Sequence, residues 1–300
     1  MKKKTYLFAL MAMVLTLGSC SDNENGIGGE TSKYITVSTS IGNMTRVATD
    51  EKGGQTFEEG DEISVYAWTG DATVAPETRE RVVNNAINKL TNGSWVSTPQ
   101  MLWKNNRDKH YFIGVYPTAA ISDLSAGEYT FDETKQVESD LLVAVNKDGL
   151  SYNVDEPQTV PLTFTHVMAK LAVNLTYKNQ WGGIPTVEKV VVGNAAKEAT
   201  INYLTKVVTP STTAKEDFSL PEITENTKYV SVIIPQEEVK QLTIVIGGKN
   251  FVYDNGTPFK LESGKITTVN LEVGRDEIKL GDVKITDWED GSTFSGEAIN

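Results

Sequence analysis

Residues 162–175 read Leu162-Thr163-Phe164-Thr165-His166-Val167-Met168-Ala169-Lys170-Leu171-Ala172-Val173-Asn174-Leu175. Leu162 and Phe164 share one parity, whereas Val167, Ala169, Leu171, Val173 and Leu175 share the other. Successive side chains of a strand point to opposite faces, so each set marks one buried face. The phase slips by one residue near His166. Such a slip turns every later side chain to the opposite face, which demands a bulge or a change of sheet. A domain junction is therefore expected close by. His166 is expected to fill the irregular position, its ring satisfied by backbone hydrogen bonds rather than by a ligand.

Outward from this stretch the chain reads as β. Short runs rich in Val, Ile, Thr and Tyr recur at Tyr34–Ile41, Ile63–Trp68, Tyr111–Tyr116, Leu141–Val145, Val187–Val192, Tyr229–Ile234, Leu242–Ile246 and Ile266–Val273. Gly, Asn, Asp and Pro separate them. Asn92-Gly93 before Trp95 is a hairpin signal, and Gly247-Gly248 is another. Arg79–Leu90 is ambiguous: Val83, Ala86, Ile87 and Leu90 fit a helix face, yet the Asn-Gly turn behind them favours a strand. Many short strands with frequent turns argue for antiparallel sandwiches.

The N-terminus carries a different signal. Lys2, Lys3 and Lys4 precede an apolar run from Tyr6 to Leu17, which is too short to span a bilayer as a stable helix. Leu17-Gly18-Ser19-Cys20 follows and resembles a bacterial lipobox. That resemblance implies cleavage between Ser19 and Cys20 and a lipid on Cys20, anchoring the chain in the cell outer membrane. The competing reading is an ordinary cleaved signal with an incidental cysteine. Residues 20–33 read as a polar, Gly-containing tether. Acidic residues just after Cys20 resemble a surface-export signal; a plain solvated linker explains them equally well.

Composition narrows the function. The 300-residue chain has a net charge of −12, and loss of residues 1–19, with three lysines and no acid, makes it −15. Such a surface repels nucleic acid, so no nucleic-acid partner is expected. Cys20 is the single cysteine, so lipidation leaves no thiol for disulfides or thiolate metal sites. His110 and His166 lack metal-ligand spacing, and no nucleophile elbow, phosphate loop or zinc motif occurs. Glu58-Glu59 and Glu237-Glu238 read as solvated charge. Asp282, Asp287, Glu289 and Asp290 lack the spacing of a calcium loop and read as exposed turn acids. No enzyme activity, metal or cofactor is expected. Trp68, Trp95, Trp103, Trp181 and Trp288 read as core or strand-end anchors, with a sugar-stacking platform as the rival.

Several segments carry a resemblance when taken in order. They are Phe57–Tyr66 (FEEGDEISVY), Tyr111–Pro117 (YFIGVYP), Asp140–Ala144 (DLLVA), Leu162–Leu171 (LTFTHVMAKL) and Ile285–Gly291 (ITDWEDG). Behind a lipobox, the set resembles the fimbrillin-like proteins that build type V pili of Gram-negative anaerobes. The resemblance implies two tandem transthyretin-like antiparallel β-sandwich domains, at 34–165 and 166–300. It also implies a surface subunit cut by an arginine-specific protease after its first strand, which then leaves a groove for a strand of the next subunit. In this sequence the strand is Tyr34–Ile41, with Ile35, Val37, Thr39 and Ile41 on one face. Arg46-Val47 follows in a polar connection that a protease could enter, and an uncut surface loop is the equal alternative. Implied partners are other pilus subunits by β-strand addition, the outer membrane through Cys20, and a host surface ligand. The tail Glu289 to Asn300 departs from donor-strand alternation, which leaves shaft, tip and anchor roles open. The rival function is a lipid-anchored glycan-binding protein.

Overall fold

The computed structural model describes residues 33–42, 56–153, 155–156, 158–254 and 256–288. They form an all-β structure. The first eight strands are β1 (Thr36–Ile41), β2 (Glu62–Thr69), β3 (Arg81–Thr91), β4 (Ser94–Thr98), β5 (His110–Tyr116), β6 (Gly127–Thr130), β7 (Leu142–Leu150) and β8 (Thr159–His166). Then come β9 (Ala169–Tyr177), β10 (Val187–Ala196), β11 (Glu198–Asn202), β12 (Val207–Pro210), β13 (Lys215–Leu220) and β14 (Glu222–Thr224). The last are β15 (Lys228–Ile233), β16 (Gln241–Ile246), β17 (Lys249–Asp254), β18 (Lys265–Val273) and β19 (Ile278–Asp287). A seven-stranded sheet runs β1-β8-β7-β5-β2-β3-β4, and a five-stranded sheet runs β14-β15-β9-β18-β19. Smaller sheets run β13-β10-β16-β17 and β12-β11-β6.

The central strand β2 shows why its run is apolar throughout. Ile63, Val65 and Ala67 enter one hydrophobic cluster, while Tyr66 and Trp68 enter another. A strand buried on both faces needs no polar alternation. The first cluster is drawn from residues 35–164, with Val37, Phe112, Leu162 and Phe164 in it. The second joins the far face of the same sheet to strands that follow His166, including Leu171, Val190 and Val269.

The ambiguous segment is strand β3. Val83 and Ala86 face the same cluster although three residues apart, because a bulge lies between them. Asn85 sits there at φ 56°. One extra residue in a strand mimics the spacing of a helix face. Asn92 and Gly93 both take positive φ, as the β3–β4 hairpin requires. The phase slip at His166 is a change of sheet: β8 ends there, and β9 begins in the five-stranded sheet.

Two expectations need correction. The sheets are not purely antiparallel, because β1 pairs with β8 and β9 pairs with β18 in parallel. Both pairs are remote in sequence, so no hairpin imposes an antiparallel partner. The His166 ring has side-chain partners where only backbone ones were expected. Its Nδ1 lies 2.8 Å from Asp140 Oδ1, and the ring stacks on Trp288 with centroids 4.0 Å apart.

Candidate functional site

Strand β1 and its seat form the candidate site. Ile35 and Val37 are buried, Thr39 and Ile41 half-buried, and the intervening Tyr34, Thr36, Ser38 and Ser40 exposed. This is the alternation of a strand laid on a core. It pairs with β8 from Thr36 opposite Thr159 to Ile41 opposite Phe164. Gly42 N–H extends the ladder to Phe164 O at 2.8 Å. On the exposed face, the Thr36 and Thr159 hydroxyls lie 3.3 Å apart, and Ser40 Oγ donates to Thr163 Oγ1 at 3.2 Å.

The opposite edge of β1 is held at one end. Ile35 N–H donates to Met101 O at 2.9 Å, and Trp103 N–H donates to Lys33 O at 3.2 Å. Farther along, Trp95 of β4 donates its indole N–H to Thr39 Oγ1 at 3.0 Å. The seven-stranded sheet thus curls until its two edge strands approach each other. An open cleft of about 710 Å³ remains between them, lined by β1, Phe57, Leu90 and Trp95. Phe57 packs edge-on against Trp95, Tyr116 and Phe164, with centroids 5.3, 5.4 and 5.1 Å away. Nearby, the Tyr116 hydroxyl lies 3.4 Å from Asp61 Oδ1. Burial, reinforced by that carboxylate, pushes its pKa up to about 12.

The pairing of β8 gives β1 its weight. Among the described residues β8 meets β7 only from Phe164 to His166, so Thr159–Thr163 have β1 as their single ladder partner. Burying Ile35 and Val37 contributes about 2 kcal/mol each, and the ladder adds about 1 kcal/mol per bond. Loss of β1 would remove a large part of the 5–15 kcal/mol that typically holds a domain. An open seat is therefore a high-energy state, with unpaired backbone groups beside an apolar floor.

All five strand residues predicted from sequence, Tyr34, Ile35, Val37, Thr39 and Ile41, lie in this site. Ser19, Cys20, Arg46 and Val47 lie outside the described residues. Thr159, Trp95 and Phe57 were missed as parts of the site. Phe57 stood in a quoted motif and Trp95 just behind the Asn-Gly turn, but nothing local to either tied it to residues 34–41.

The other candidates have structural partners. Glu59 accepts from Asn92 N–H at 2.6 Å and caps the hairpin turn. His110 is fully buried and accepts from Lys104 N–H at 3.0 Å through Nε2, and burial lowers its pKa, so the ring is a neutral core group. Asp282 and Asp287 lie on strand β19 rather than in turns, bonded to Asn270 and Lys265. Among the described residues no group of three or more His, Cys, Asp or Glu could hold a metal. Trp68, Trp103 and Trp288 are buried, and Trp95 and Trp181 are half-buried.

Comparison with known proteins gives a consistent picture. The sequence profile of the family described as Fimbrillin-like matches residues 45–288. A candidate fimbrium subunit of Bacteroides uniformis, Fim1C, is 25% identical over 315 aligned positions, covering 97% of each chain. A candidate cell adhesion protein from Bacteroides ovatus superposes with a TM-score of 0.61 at 18% identity, covering 85% of this chain and 98% of that one. A fimbrial protein from Bacteroides vulgatus gives 0.52 at 12% identity, covering 84% and 99%. At these identities the structural likeness speaks for the fold alone.

Proposed function

Because the chain belongs to the fimbrillin-like family, a family of structural proteins rather than enzymes, we propose that it is a subunit of a surface pilus or pilus-like adhesin. It is exported as a lipoprotein, cut between Ser19 and Cys20, and anchored in the outer membrane by lipid on Cys20. A protease then cuts between Arg46 and Val47. Strand β1 leaves with the tether, and a strand of another pilus subunit takes its seat. A host surface ligand completes the adhesive role.

The observation that carries this reading is the seat of β1. An edge strand with Ile35 and Val37 in the core is the single ladder partner of Thr159–Thr163 among the described residues. Its removal bares backbone groups beside an apolar floor, the condition for β-augmentation. A division into transthyretin-like sandwiches at 34–165 and 166–300 belongs to the same proposal. The change of sheet at His166 supports it. The glycan-binding alternative needs an exposed aromatic row, and no tryptophan among the described residues is exposed.

The test is the intact mass and N-terminal residue of protein assembled on its native cell surface. A chain beginning at Val47 is the expected result. Assembled polymer whose subunits still begin at acylated Cys20 would overturn strand replacement.

A further inference from the structure

We propose that the seat of β1 is selective. It takes a strand reading aliphatic, any, aliphatic, any, hydroxyl, any, aliphatic in the direction of β8, a pattern that residues 278–300 of a second copy do not offer. The inference rests on the strand-replacement reading above and names the partner of that same site.

The four inward positions set the pattern. The Ile35 and Val37 sites are buried, 2% and 6% exposed, in the cluster that contains Phe164 and Val65. A polar side chain at either would lose water without gaining a partner. The Thr39 site is different, because the Trp95 indole N–H points at it from 3.0 Å. An indole N–H only donates, so this position calls for a short acceptor. An aliphatic side chain there leaves the donor unpaired against the cleft. The Ile41 site returns to apolar character, since it shares the cleft wall with Phe57. Outward hydroxyls opposite Thr159 and Thr163 add a weaker preference, because both pairs are exposed.

Strand β19 of a second copy, an edge strand that pairs only with β18 among the described residues, is one candidate donor, together with the sequence that follows it. From Ile278 to Asn300 that segment does not match. Val283 and Ile285 would fill the first two sites, but Asp287 then falls beside the Trp95 indole and Glu289 falls on Phe57. In the other parity Ile278 and Leu280 are followed by Asp282 and Lys284. In either register the aspartate could accept from the Trp95 indole N–H, but the next inward position sets a charge, Glu289 or Lys284, against the apolar ring of Phe57, where it has no built partner. The geometry thus disfavours β19 and the residues behind it as donor to this seat.

The experiment uses the full chain with a specific protease site placed within residues 43–55 and cut after folding. Synthetic peptides compete with a fluorescent peptide of residues 33–42, read by anisotropy. The parent peptide is expected to bind, Thr39→Val to bind about tenfold more weakly, and Thr39→Ser to bind within about twofold of the parent. A peptide of residues 278–289 is expected to bind at least about a hundredfold more weakly. On a Trp95→Phe protein the Thr39→Val penalty should vanish. Equal binding of Thr39→Val on the parent protein, or binding of 278–289 within tenfold of the parent peptide, would overturn selectivity and leave strand replacement standing. Failure of the parent peptide itself to enter the cut protein would overturn strand replacement.

Discussion

An added Cβ at Gly114 would lie 2.6 Å from Phe164 Cζ and 3.1 Å from Leu162 Cδ1. Both partners are buried in strand β8, beneath β1, so neither ring nor methyl has room to retreat. Gly114→Ala is expected to cost about 2–3 kcal/mol, seen as a lower urea midpoint with an unchanged slope. No change in midpoint would mean that the floor of the seat is softer than its packing indicates. The sequence marked Tyr111–Tyr116 as a strand but held no reason for a glycine within it. That reason is a close approach across the sheet, fifty residues away along the chain. His166 shows the same boundary. Its phase slip was legible, because parity is local. Its partners were not, because Asp140 and Trp288 reach it through the fold.

Strand β19 is fastened at its end more firmly than along its length. Nearly all of its side chains are exposed, and it pairs on one edge with β18. Beyond it, Trp288 is buried, donates its backbone N–H to Gly264 O at 3.0 Å, stacks on His166, and lies 4.1 Å beneath Lys170 Nζ. Trp288→Ala should cost about 3 kcal/mol and raise amide exchange in β19 well above that in β9. Uniform exchange across both strands would show that the ladder alone holds β19. The predicted strands were legible because period-two alternation survives wherever one face is wet. Strand β3 was obscured by the bulge at Asn85, which gave Val83 and Ala86 helical spacing. The parallel partnership of β1 with β8 left no sequence mark, since pairing across more than a hundred residues depends on neither turn chemistry nor local period.

At the scale of the whole molecule, the cores are laced with tyrosines that resist ionisation. Burial pushes Tyr177, with Glu222 nearby, and Tyr203, beside Tyr66, up to about 12, as it does Tyr116. In the unfolded chain these phenols ionise near 10. Between those values the unfolded state binds fewer protons, so stability is complete below pH 10 and falls as pH rises toward 12. Phenolate absorbance from Tyr116, Tyr177 and Tyr203, assigned by Tyr→Phe variants, is expected to appear together with loss of β-sheet circular dichroism; ionisation of these three on a fully folded chain would contradict this. A second whole-molecule consequence lies in the connection between Gly42 and Thr56, which is thirteen residues long. While it is intact, it presents a detached β1 to its own seat at roughly millimolar effective concentration. One scission replaces that figure by the bulk concentration of free strand. At micromolar levels the thousandfold dilution is worth about 4 kcal/mol against return. Hydrolysis of a single peptide bond, with no change in any contact of the seat, would thereby make departure of the strand effectively one-way.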